Sequence, residues 1–121
     1  MQDIEAVVRA TSVMAYRSIP GEPDTAPFIE WCRAKGSRVV LPEDQPDAAS
    51  LDVVIVPGLA FTADGHRLGQ GGGWYDRFLS GLGDRCETIG VCFAEQILSE
   101  VPVEAHDVVL DHVVSDAGIV R

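Results

Sequence analysis

A stretch rich in glycine is the part of the sequence whose residue types most directly suggest chemistry. Four of the five residues from 69 to 73 are glycine. Because glycine has no side chain, a phosphate can approach the backbone N–H groups of such a stretch closely. A helix that begins just afterwards would add free N–H groups and the positive end of its dipole. Arg67 could bind phosphate oxygens through two N–H groups at once. The stretch therefore predicts an anion-binding loop, with a flexible surface turn as the alternative.

Two common phosphate-binding loops do not fit this stretch. A dinucleotide-binding G-x-G-x-x-G motif that starts at Gly69 requires a glycine at position 74, where Trp74 stands. A Walker A loop requires a lysine followed by serine or threonine, and Lys35, the only lysine of the chain, lies far away in sequence. Any phosphate site here is therefore of another type.

The composition favours a single folded domain over residues 1–121. Hydrophobic residues make up 46% of the chain, which is enough for a core, and its length is that of an ordinary domain. Acidic residues outnumber basic ones by 19 to 9, which gives a formal charge of −10. Nucleic-acid surfaces need clustered Lys and Arg, so we expect no nucleic-acid partner. A small anionic ligand held by a few local donors remains compatible with this charge.

The cysteines and the N-terminal residues predict a reducing, cytoplasmic location. Cys32, Cys86 and Cys92 are odd in number and lack the spacing of a zinc site or a disulfide framework. Residues 1–5 are partly acidic and contain no apolar segment typical of a signal peptide. No run approaches the roughly 20 apolar residues of a membrane span, so we expect no membrane partner.

Hydrophobic periodicity predicts an α/β fold with a mostly parallel sheet. Residues 51–56 are almost continuously apolar, which is typical of a strand buried on both faces. Asp24 or Thr25 is expected to cap a helix that ends at Gly36. The predicted strands are 12–16, 38–41, 51–56, 88–93 and 112–115, with 118–120 extending the sheet edge; the predicted helices are 4–10, 25–35, 72–82 and 95–99, and 59–71 is a predicted loop.

The glycine stretch belongs to a longer pattern that covers most of the chain. The pattern runs through VPGLAF at 56–61, Gly65, RLGQGGGWYDR at 67–77, EQIL at 95–98, VPVEAHD at 101–107 and LDHVVS at 110–115. Tyr16 and the segment EPDT at 22–25 precede it. In order and spacing these elements resemble the 5-formyltetrahydrofolate cyclo-ligases, also called 5,10-methenyltetrahydrofolate synthetases.

The resemblance implies a fold and an activity. The fold would be a three-layer α/β sandwich with a mostly parallel central sheet, related to sugar-isomerase and CoA-transferase sheets. The activity would be the ATP-dependent conversion of 5-formyltetrahydrofolate to 5,10-methenyltetrahydrofolate in one-carbon metabolism, with release of ADP and phosphate. Transfer of the γ-phosphoryl group to the formyl oxygen would make that oxygen a good leaving group. The protein would contribute mainly positioning and charge stabilisation.

The resemblance also assigns roles to individual residues. Arg67 and Tyr75 would be catalytic, and Asp76 and Asp107 would hold Mg²⁺, which prefers oxygen ligands. The ATP-binding residues would be Arg67, Leu68, Gly69, Gln70, Gly71, Gly72, Gly73, Trp74 and Tyr75. The folate-binding residues would be Ile19, Asp24, Gln70, Gly71, Gly72, Gly73 and Trp74.

Several of these residues also have simpler interpretations. Asp76 can be a carboxylate in the first turn of a helix, favoured there by the helix dipole, and Asp107 a solvated loop acid. Trp74 can be a core residue. His106 has no cysteine nearby and no second histidine at ligand spacing, so we expect a loop residue rather than a metal ligand. Tyr16 is expected to be a strand residue.

The chain departs from the family pattern in two places. Family members begin with a basic K-x(3)-R element that reaches ATP, and Arg9 lies too close to Tyr16 to be part of it. Residues 43–50 form a predicted polar linker where the family has a longer section, so a family-relative deletion is expected there. A non-catalytic paralogue that still binds nucleotide or folate is therefore the alternative function, and a structural subunit is a third. The expected partners are ATP, reduced folate and Mg²⁺, in a monomer or weak homo-oligomer.

Overall fold

The protein is a three-layer α/β sandwich built on a mostly parallel sheet. The computed structural model describes residues 1–104 and 107–121. Its strands are β1 (Ser12–Met14), β2 (Arg38–Val40), β3 (Val53–Val56), β4 (Ala60–Phe61), β5 (Arg67–Leu68), β6 (Glu87–Cys92), β7 (His112–Ser115) and β8 (Gly118–Ile119), and its α-helices are α1 (Glu5–Arg9), α2 (Ala26–Ala34) and α3 (Trp74–Leu79). Within these residues the larger sheet has the order β2-β1-β3-β6-β7-β8. Every neighbouring pair in it is parallel except β7 with β8.

The central strand β3 explains why the fold has helices on both faces of the sheet. All of its residues are buried, as the continuous apolar run predicts. Successive side chains of a strand point to opposite faces. Val53 and Ile55 join the hydrophobic cluster that contains the buried face of α2, and Val54 and Val56 join the cluster that contains Leu79 of α3. The sheet is therefore covered on both faces, and the expected three-layer architecture is confirmed.

Gly36 ends α2 as predicted. Its φ of +96° is one that residues with a side chain rarely adopt. The N–H of Gly36 donates to the carbonyl of Arg33 at 3.0 Å, and the N–H of Ser37 donates to the carbonyl of Cys32 at 3.0 Å. This pair of hydrogen bonds is the Schellman arrangement, which satisfies carbonyls left unpaired at a helix end.

The start of α2 differs from the expected cap. Thr25 occupies the N-cap position, but its side chain caps no N–H of the helix. Its hydroxyl instead donates to the carbonyl of Tyr16 at 2.5 Å. The Asp24 carboxylate accepts the N–H of Ala26 at 3.0 Å. Asp24, and not Thr25, therefore caps the first N–H group of the helix.

The prediction of a loop over residues 59–71 was wrong, because this segment contains a short hairpin. Strands β4 and β5 pair antiparallel, with Ala60 opposite Leu68 and Phe61 opposite Arg67. The predicted edge strand over residues 118–120 is present as β8. The predicted polar linker over residues 43–50 contains parts of two 3₁₀ turns, Pro42–Asp44 and Ala48–Ser50.

Two predicted helices are shorter than expected. The helix predicted over residues 72–82 is reduced to α3, which has 6 residues. Gly81 and Gly83 follow it closely, and glycine is unfavourable inside a helix. Around residues 95–99 the structure forms only a 3₁₀ turn, Ala94–Gln96. In the described ranges no helix is long and apolar enough to cross a membrane.

The packing of the hairpin on the sheet predicts a destabilising substitution at Gly90 in β6. A Cβ atom at this position would lie 2.6 Å from Cε1 of Phe61 and 2.8 Å from Cδ1 of Leu110. Both side chains are fully buried, so neither can move aside freely. We expect Gly90→Ala to lower the free energy of unfolding by about 1–3 kcal/mol, measured by denaturant titration.

Gly83→Ala is the matched control, since a Cβ atom there meets nothing within 4 Å. It should change stability by less than about 0.5 kcal/mol. Equal stability of the two variants would contradict the tight contact between the hairpin and β6.

Candidate active site

The candidate site lies where the connections of the sheet diverge. The chain leaves β1 toward β2 at one edge of the sheet and leaves β3 toward β6 on the other side. In open parallel sheets such a divergence at the carboxyl ends of two adjacent strands leaves a crevice in which ligands bind. Ile19 and Glu22 follow β1, and Pro57 and Gly58 follow β3. All four line the same cleft.

The cleft has a volume of about 660 Å³, which is in the range of small-molecule sites. Its walls come from the turn after β1, the end of β3, the glycine stretch with the start of α3, and the segment before β7. The lining residues are Ile19, Glu22, Pro57, Gly58, Arg67, Leu68, Gly69, Gln70, Gly71, Gly72, Gly73, Trp74, Tyr75, Asp76, Pro102, Glu104 and Asp107.

The glycine stretch, residues 69–73, forms one wall of the cleft. Gln70, Gly71 and Gly72 are exposed. Gly71 and Gly73 have φ angles of +97° and +71°, so the backbone follows a path that favours glycine. A Cβ atom at Gly71 or Gly72 would meet no other atom within 4 Å. The space beside these two residues is therefore open, and protein packing does not exclude a side chain from it.

Arg67 lies beneath the glycine stretch and is held by several groups. Its Nε donates to the carbonyl of Pro57 at 2.7 Å, and one terminal nitrogen donates to Asp76 at 3.1 Å. The guanidinium lies 5.4 Å from the centre of the Tyr75 ring, a cation–π distance. The other terminal nitrogen would lie 3.0 Å from a Cβ atom at Gly69. Only 8% of the Arg67 side chain is exposed.

These contacts connect two of the predicted site residues. Arg67 is predicted to bind phosphate, and Asp76 is predicted to bind a metal. The structure joins Arg67 and Asp76 to each other in an ion pair. Burial lowers the pKa of Arg67, and Asp76, Tyr75 and Asp107 oppose this shift. The guanidinium therefore brings a buried positive charge next to both predicted metal ligands.

The aromatic residues at the start of α3 form a stack along the cleft. Trp74 lies parallel to Phe78 with ring centres 5.0 Å apart, and it meets Tyr75 edge to face at 4.9 Å. Trp74 is 39% exposed and lines the cleft, so it is not a core residue. Burial raises the pKa of the Tyr75 hydroxyl, which therefore keeps its proton and can donate a hydrogen bond.

The acidic residues of the cleft fit a metal that arrives with a substrate. Asp76, Glu104 and Asp107 all line the cleft. Among the described residues, however, no three His, Cys, Asp or Glu side chains are grouped so that they could hold a metal ion. Mg²⁺ is commonly bound by one or two carboxylates together with substrate phosphates and water. The carboxylate oxygens of Asp76 and Asp107 therefore fit such a magnesium site. His106 lies outside the described residues.

The two predicted folate residues from the β1 turn have different positions. Ile19 lines the cleft and is 58% exposed. Asp24 is not among the lining residues. Its carboxylate accepts hydrogen bonds from Ala26 N at 3.0 Å and from the Ser18 hydroxyl at 3.4 Å. The structure therefore gives Asp24 a role in shaping the turn and the start of α2.

Glu22 is a cleft residue that the sequence prediction missed. It lines the cleft, and its carboxylate accepts the N–H of Ile19 at 2.9 Å. The turn over residues 19–22 is closed by a second hydrogen bond, from Glu22 N to the Ile19 carbonyl at 3.0 Å. The segment 22–25 contains two acids, and only the backbone path after β1 shows which of them faces the cleft. Pro57, Gly58, Pro102 and Glu104 were also missed.

Comparison with known proteins settles the family. The model of the 5-formyltetrahydrofolate cyclo-ligase family matches residues 43–116, which is more than half of the chain. The chain belongs to this family. The match includes the hairpin, the glycine stretch, α3 and Asp107, so most of the cleft lies within the family region.

Individual cyclo-ligases match over almost the whole chain. The 5-formyltetrahydrofolate cyclo-ligase of Escherichia coli K12 is 30% identical over 155 residues, covering 98% of this chain and 85% of the relative. The one from Mycolicibacterium smegmatis is 28% identical over 145 residues, covering 89% of this chain and 75% of the relative. Both alignments are longer than the 121 residues of the chain, so the relatives contain residues that this cyclo-ligase family member lacks.

A solved structure supports the fold. The 5,10-methenyltetrahydrofolate synthetase of Aquifex aeolicus superimposes with a TM-score of 0.81 at 23% sequence identity. The superposition covers 98% of this chain and 75% of the other. The predicted α/β sandwich of the cyclo-ligases is therefore confirmed for this chain.

The partly buried ion pair of Arg67 and Asp76 predicts a measurable coupling between the two residues. We expect a double-mutant cycle with Arg67→Gln and Asp76→Asn to give a coupling free energy of about 1–3 kcal/mol in thermal or denaturant unfolding. The reason is that each single change leaves a charge in the cleft wall without its partner.

The exposed pair of Arg9 and Glu5 is the matched control. Both side chains are 74% exposed, so solvent screens their attraction. The same cycle there should give no more than about 0.5 kcal/mol. A coupling for Arg67 and Asp76 as small as this would contradict a structural role for the buried pair.

Proposed function

We propose that this chain catalyses the ATP-dependent conversion of 5-formyltetrahydrofolate to 5,10-methenyltetrahydrofolate, with release of ADP and phosphate. The observation that carries the proposal is the cleft itself. The family's glycine stretch, a buried arginine and two aspartates converge there with an aromatic wall. A cleft of about 660 Å³ at a divergence point of the sheet is in the range of small-molecule sites.

The chemistry requires a poor leaving group to be activated. The γ-phosphoryl group passes from ATP to the formyl oxygen, which forms an O–P bond and releases ADP. The nitrogen at position 10 then attacks the formyl carbon, the C–O bond breaks, and the oxygen leaves as part of phosphate. The attacking nitrogen loses its proton in the same sequence. Charge builds up on the transferring group and on the departing phosphate, so the protein has to hold both substrates in line and stabilise negative charge.

The glycine stretch is the proposed site for the ATP phosphates. Residues 70–72 are exposed toward the cleft, and the space beside Gly71 and Gly72 is open. The Arg67 guanidinium beneath them adds a positive charge that is largely shielded from water. In such surroundings a charge acts more strongly than at the surface. Tyr75 would donate a hydrogen bond from its protonated hydroxyl to a charged oxygen.

Asp76 and Asp107 are the proposed Mg²⁺ ligands. When bound, the ion would neutralise phosphate charge and help to align the transferring group. Two carboxylates leave room for phosphate oxygens and water in its coordination. Asp76 is paired with Arg67. A phosphate that attracts the guanidinium would therefore also leave the Asp76 carboxylate more available to bind Mg²⁺.

The folate is proposed to bind against the aromatic and apolar wall. Ile19 and Trp74 are both exposed and both line the cleft, which gives a flat pterin ring an apolar contact. Gln70 and the following glycines face the same space. Asp24 would contribute by holding the turn that carries Ile19 in place.

A non-catalytic paralogue is the second candidate. It is favoured by the longer alignments of the relatives, which contain residues that this chain lacks. Turnover separates the two functions. An enzyme forms the methenyl product only when ATP is present, and the absorbance of this product measures its formation. A paralogue binds ATP or folate without forming product.

A side chain at Gly72 should block nucleotide binding without disturbing the fold. A Cβ atom there meets nothing within 4 Å, and its φ angle is not one restricted to glycine. We expect Gly72→Val to reduce kcat/KM for ATP by roughly 100-fold, because a small displacement of a reacting group is enough for such a loss. The variant should also bind ATP more weakly than the wild type does, and calorimetric titration with ATP would measure this loss of affinity.

Gly83→Val is the control, since Gly83 has the same open surroundings away from the cleft. It should bind ATP as the wild type does. If Gly72→Val also retained full affinity, the glycine stretch would not be the phosphate site.

If Asp107 is a metal ligand, its substitution should change the Mg²⁺ concentration that ATP binding requires. Asp107→Asn keeps the size of the side chain and removes its charge. We expect the Mg²⁺ concentration for half-maximal ATP binding to rise at least roughly 10-fold, the scale seen even for outer partners of a metal ion. Asp84→Asn makes the same change of charge at an exposed residue and serves as control. An unchanged magnesium requirement in Asp107→Asn would exclude Asp107 as a ligand.

A further inference from the structure

The hydroxyl group of Tyr16 has an unusual environment. Tyr16 follows β1, at the edge of the sheet where the cleft lies, and is only 5% exposed. Its ring packs in the hydrophobic cluster that covers one face of the sheet. In the described part of the chain, its hydroxyl oxygen is buried and has no hydrogen-bond partner.

A buried hydroxyl without a partner destabilises a folded protein, because it loses its hydrogen bonds to water and gains none. Thr25 shows the contrast within the same segment. Its hydroxyl is also buried, but it donates to the carbonyl of Tyr16 at 2.5 Å. Phenylalanine at position 16 would keep the ring contacts and remove the unsatisfied group, so the folded structure by itself gives the Tyr16 hydroxyl no role.

The neighbours of this hydroxyl connect it to the cleft. The titratable groups that face it are Glu22, Tyr75 and Cys92. Glu22 and Tyr75 both line the cleft, from opposite walls. The Cys92 thiol is directed to the carbonyl of Val114 at 3.7 Å and does not serve the hydroxyl. Tyr16 itself does not line the cleft, but two of the groups that act on its hydroxyl, Glu22 and Tyr75, do.

The charge of this region favours one kind of ligand over another. Glu22 is an acid, and a phosphate placed beside it would be repelled. A neutral carbonyl oxygen would not be repelled and could accept a hydrogen bond from a phenol. Of the two proposed substrates, the reduced folate carries such oxygens on its formyl group and on its pterin ring.

We propose that the Tyr16 hydroxyl is a hydrogen-bond donor to a carbonyl oxygen of the bound reduced folate, reached when the Glu22 side chain shifts on binding. This inference rests on the proposed function, since it assigns a contact in the folate half of the same cleft. It makes Tyr16 a folate-specific residue that takes no part in holding ATP. The hydroxyl is unsatisfied in the free protein and satisfied in the complex.

The protonation of Tyr16 agrees with this role. Burial raises the pKa of its hydroxyl, and the nearby Glu22 raises it further. The phenol therefore keeps its proton near neutral pH and can donate a hydrogen bond.

The substitution Tyr16→Phe tests the inference because it should affect stability and binding in opposite directions. The melting temperature of the free variant should equal or exceed that of the wild type, since an unsatisfied polar group is removed. Its affinity for 5-formyltetrahydrofolate, measured by tryptophan fluorescence or by calorimetry, should fall roughly 3- to 10-fold, which corresponds to the loss of one hydrogen bond. Its affinity for ATP should not change.

Two comparisons sharpen the test. Thr25→Val removes a buried hydroxyl that has a partner, so it should lower the melting temperature, unlike Tyr16→Phe. Titration with tetrahydrofolate, which lacks the formyl group, locates the acceptor. A loss of affinity that disappears with this ligand assigns the formyl oxygen, and a loss that persists assigns a carbonyl that both ligands share, on the pterin ring or in the aminobenzoyl amide.

The outcomes that overturn the inference are distinct from a failure of the proposed function. Equal folate affinity of wild type and Tyr16→Phe overturns it, as does an equal loss of ATP affinity. A lower melting temperature with unchanged folate affinity shows that a buried water satisfies the hydroxyl, and also overturns it. A wild-type chain that binds no reduced folate contradicts the proposed function and this inference together.

Discussion

The buried guanidinium of Arg67 is the interaction on which the site depends. It connects the end of β3, through Pro57, to the start of α3, through Asp76 and Tyr75, and its guanidinium lies close beside Gly69 of the glycine stretch. These segments come from different parts of the chain and have little regular structure of their own, since β4 and β5 have two residues each and α3 has six. A charged, planar group with several donors can hold them in a way that apolar contacts alone cannot.

The sheet determines where this arrangement can act. The strand order places the ends of β1 and β3 side by side. Their connections run in opposite directions, so a crevice forms between them at the edge of the sheet. The turn after β1 then faces the glycine stretch across the cleft. One wall carries an acid and an exposed isoleucine, and the other carries exposed backbone above a buried positive charge. This asymmetry is the physical reason to assign the phosphates to the second wall, while the proposed folate contacts come from both walls, through Ile19 on the first and Trp74 on the second.

Much of the fold could be predicted from the sequence because its strongest signals are local. The apolar run at 51–56 identifies the central strand, and Gly36 ends α2 by a conformation that favours glycine. The hairpin of β4 and β5 was missed because two-residue strands are too short to show an alternating pattern. The helix after the glycine stretch was predicted too long, since Leu82 continues its apolar spacing although Gly81 interrupts it.

The part of the cleft around the glycine stretch was predictable from the sequence, but its contacts and several other lining residues were not. The family pattern points to the glycine stretch, and the predicted residues from Arg67 to Asp76 do line the cleft together with Asp107. No spacing rule shows that Arg67 pairs with Asp76, that Asp24 bonds to Ser18 and Ala26, or that Glu22 lines the cleft. Each of these depends on how a loop crosses the end of a strand. The unsatisfied Tyr16 hydroxyl is likewise visible only when all of its neighbours are known.

The central claim is that the formyl oxygen is activated by phosphoryl transfer in this cleft, and the fate of that oxygen tests it most directly. 5-Formyltetrahydrofolate labelled with ¹⁸O in the formyl group would be incubated with the chain, ATP and Mg²⁺, and the released phosphate analysed by mass spectrometry. The account predicts one ¹⁸O atom in each phosphate formed, in step with the methenyl product. Phosphate that carries no label, or methenyl product formed without ATP, would contradict it.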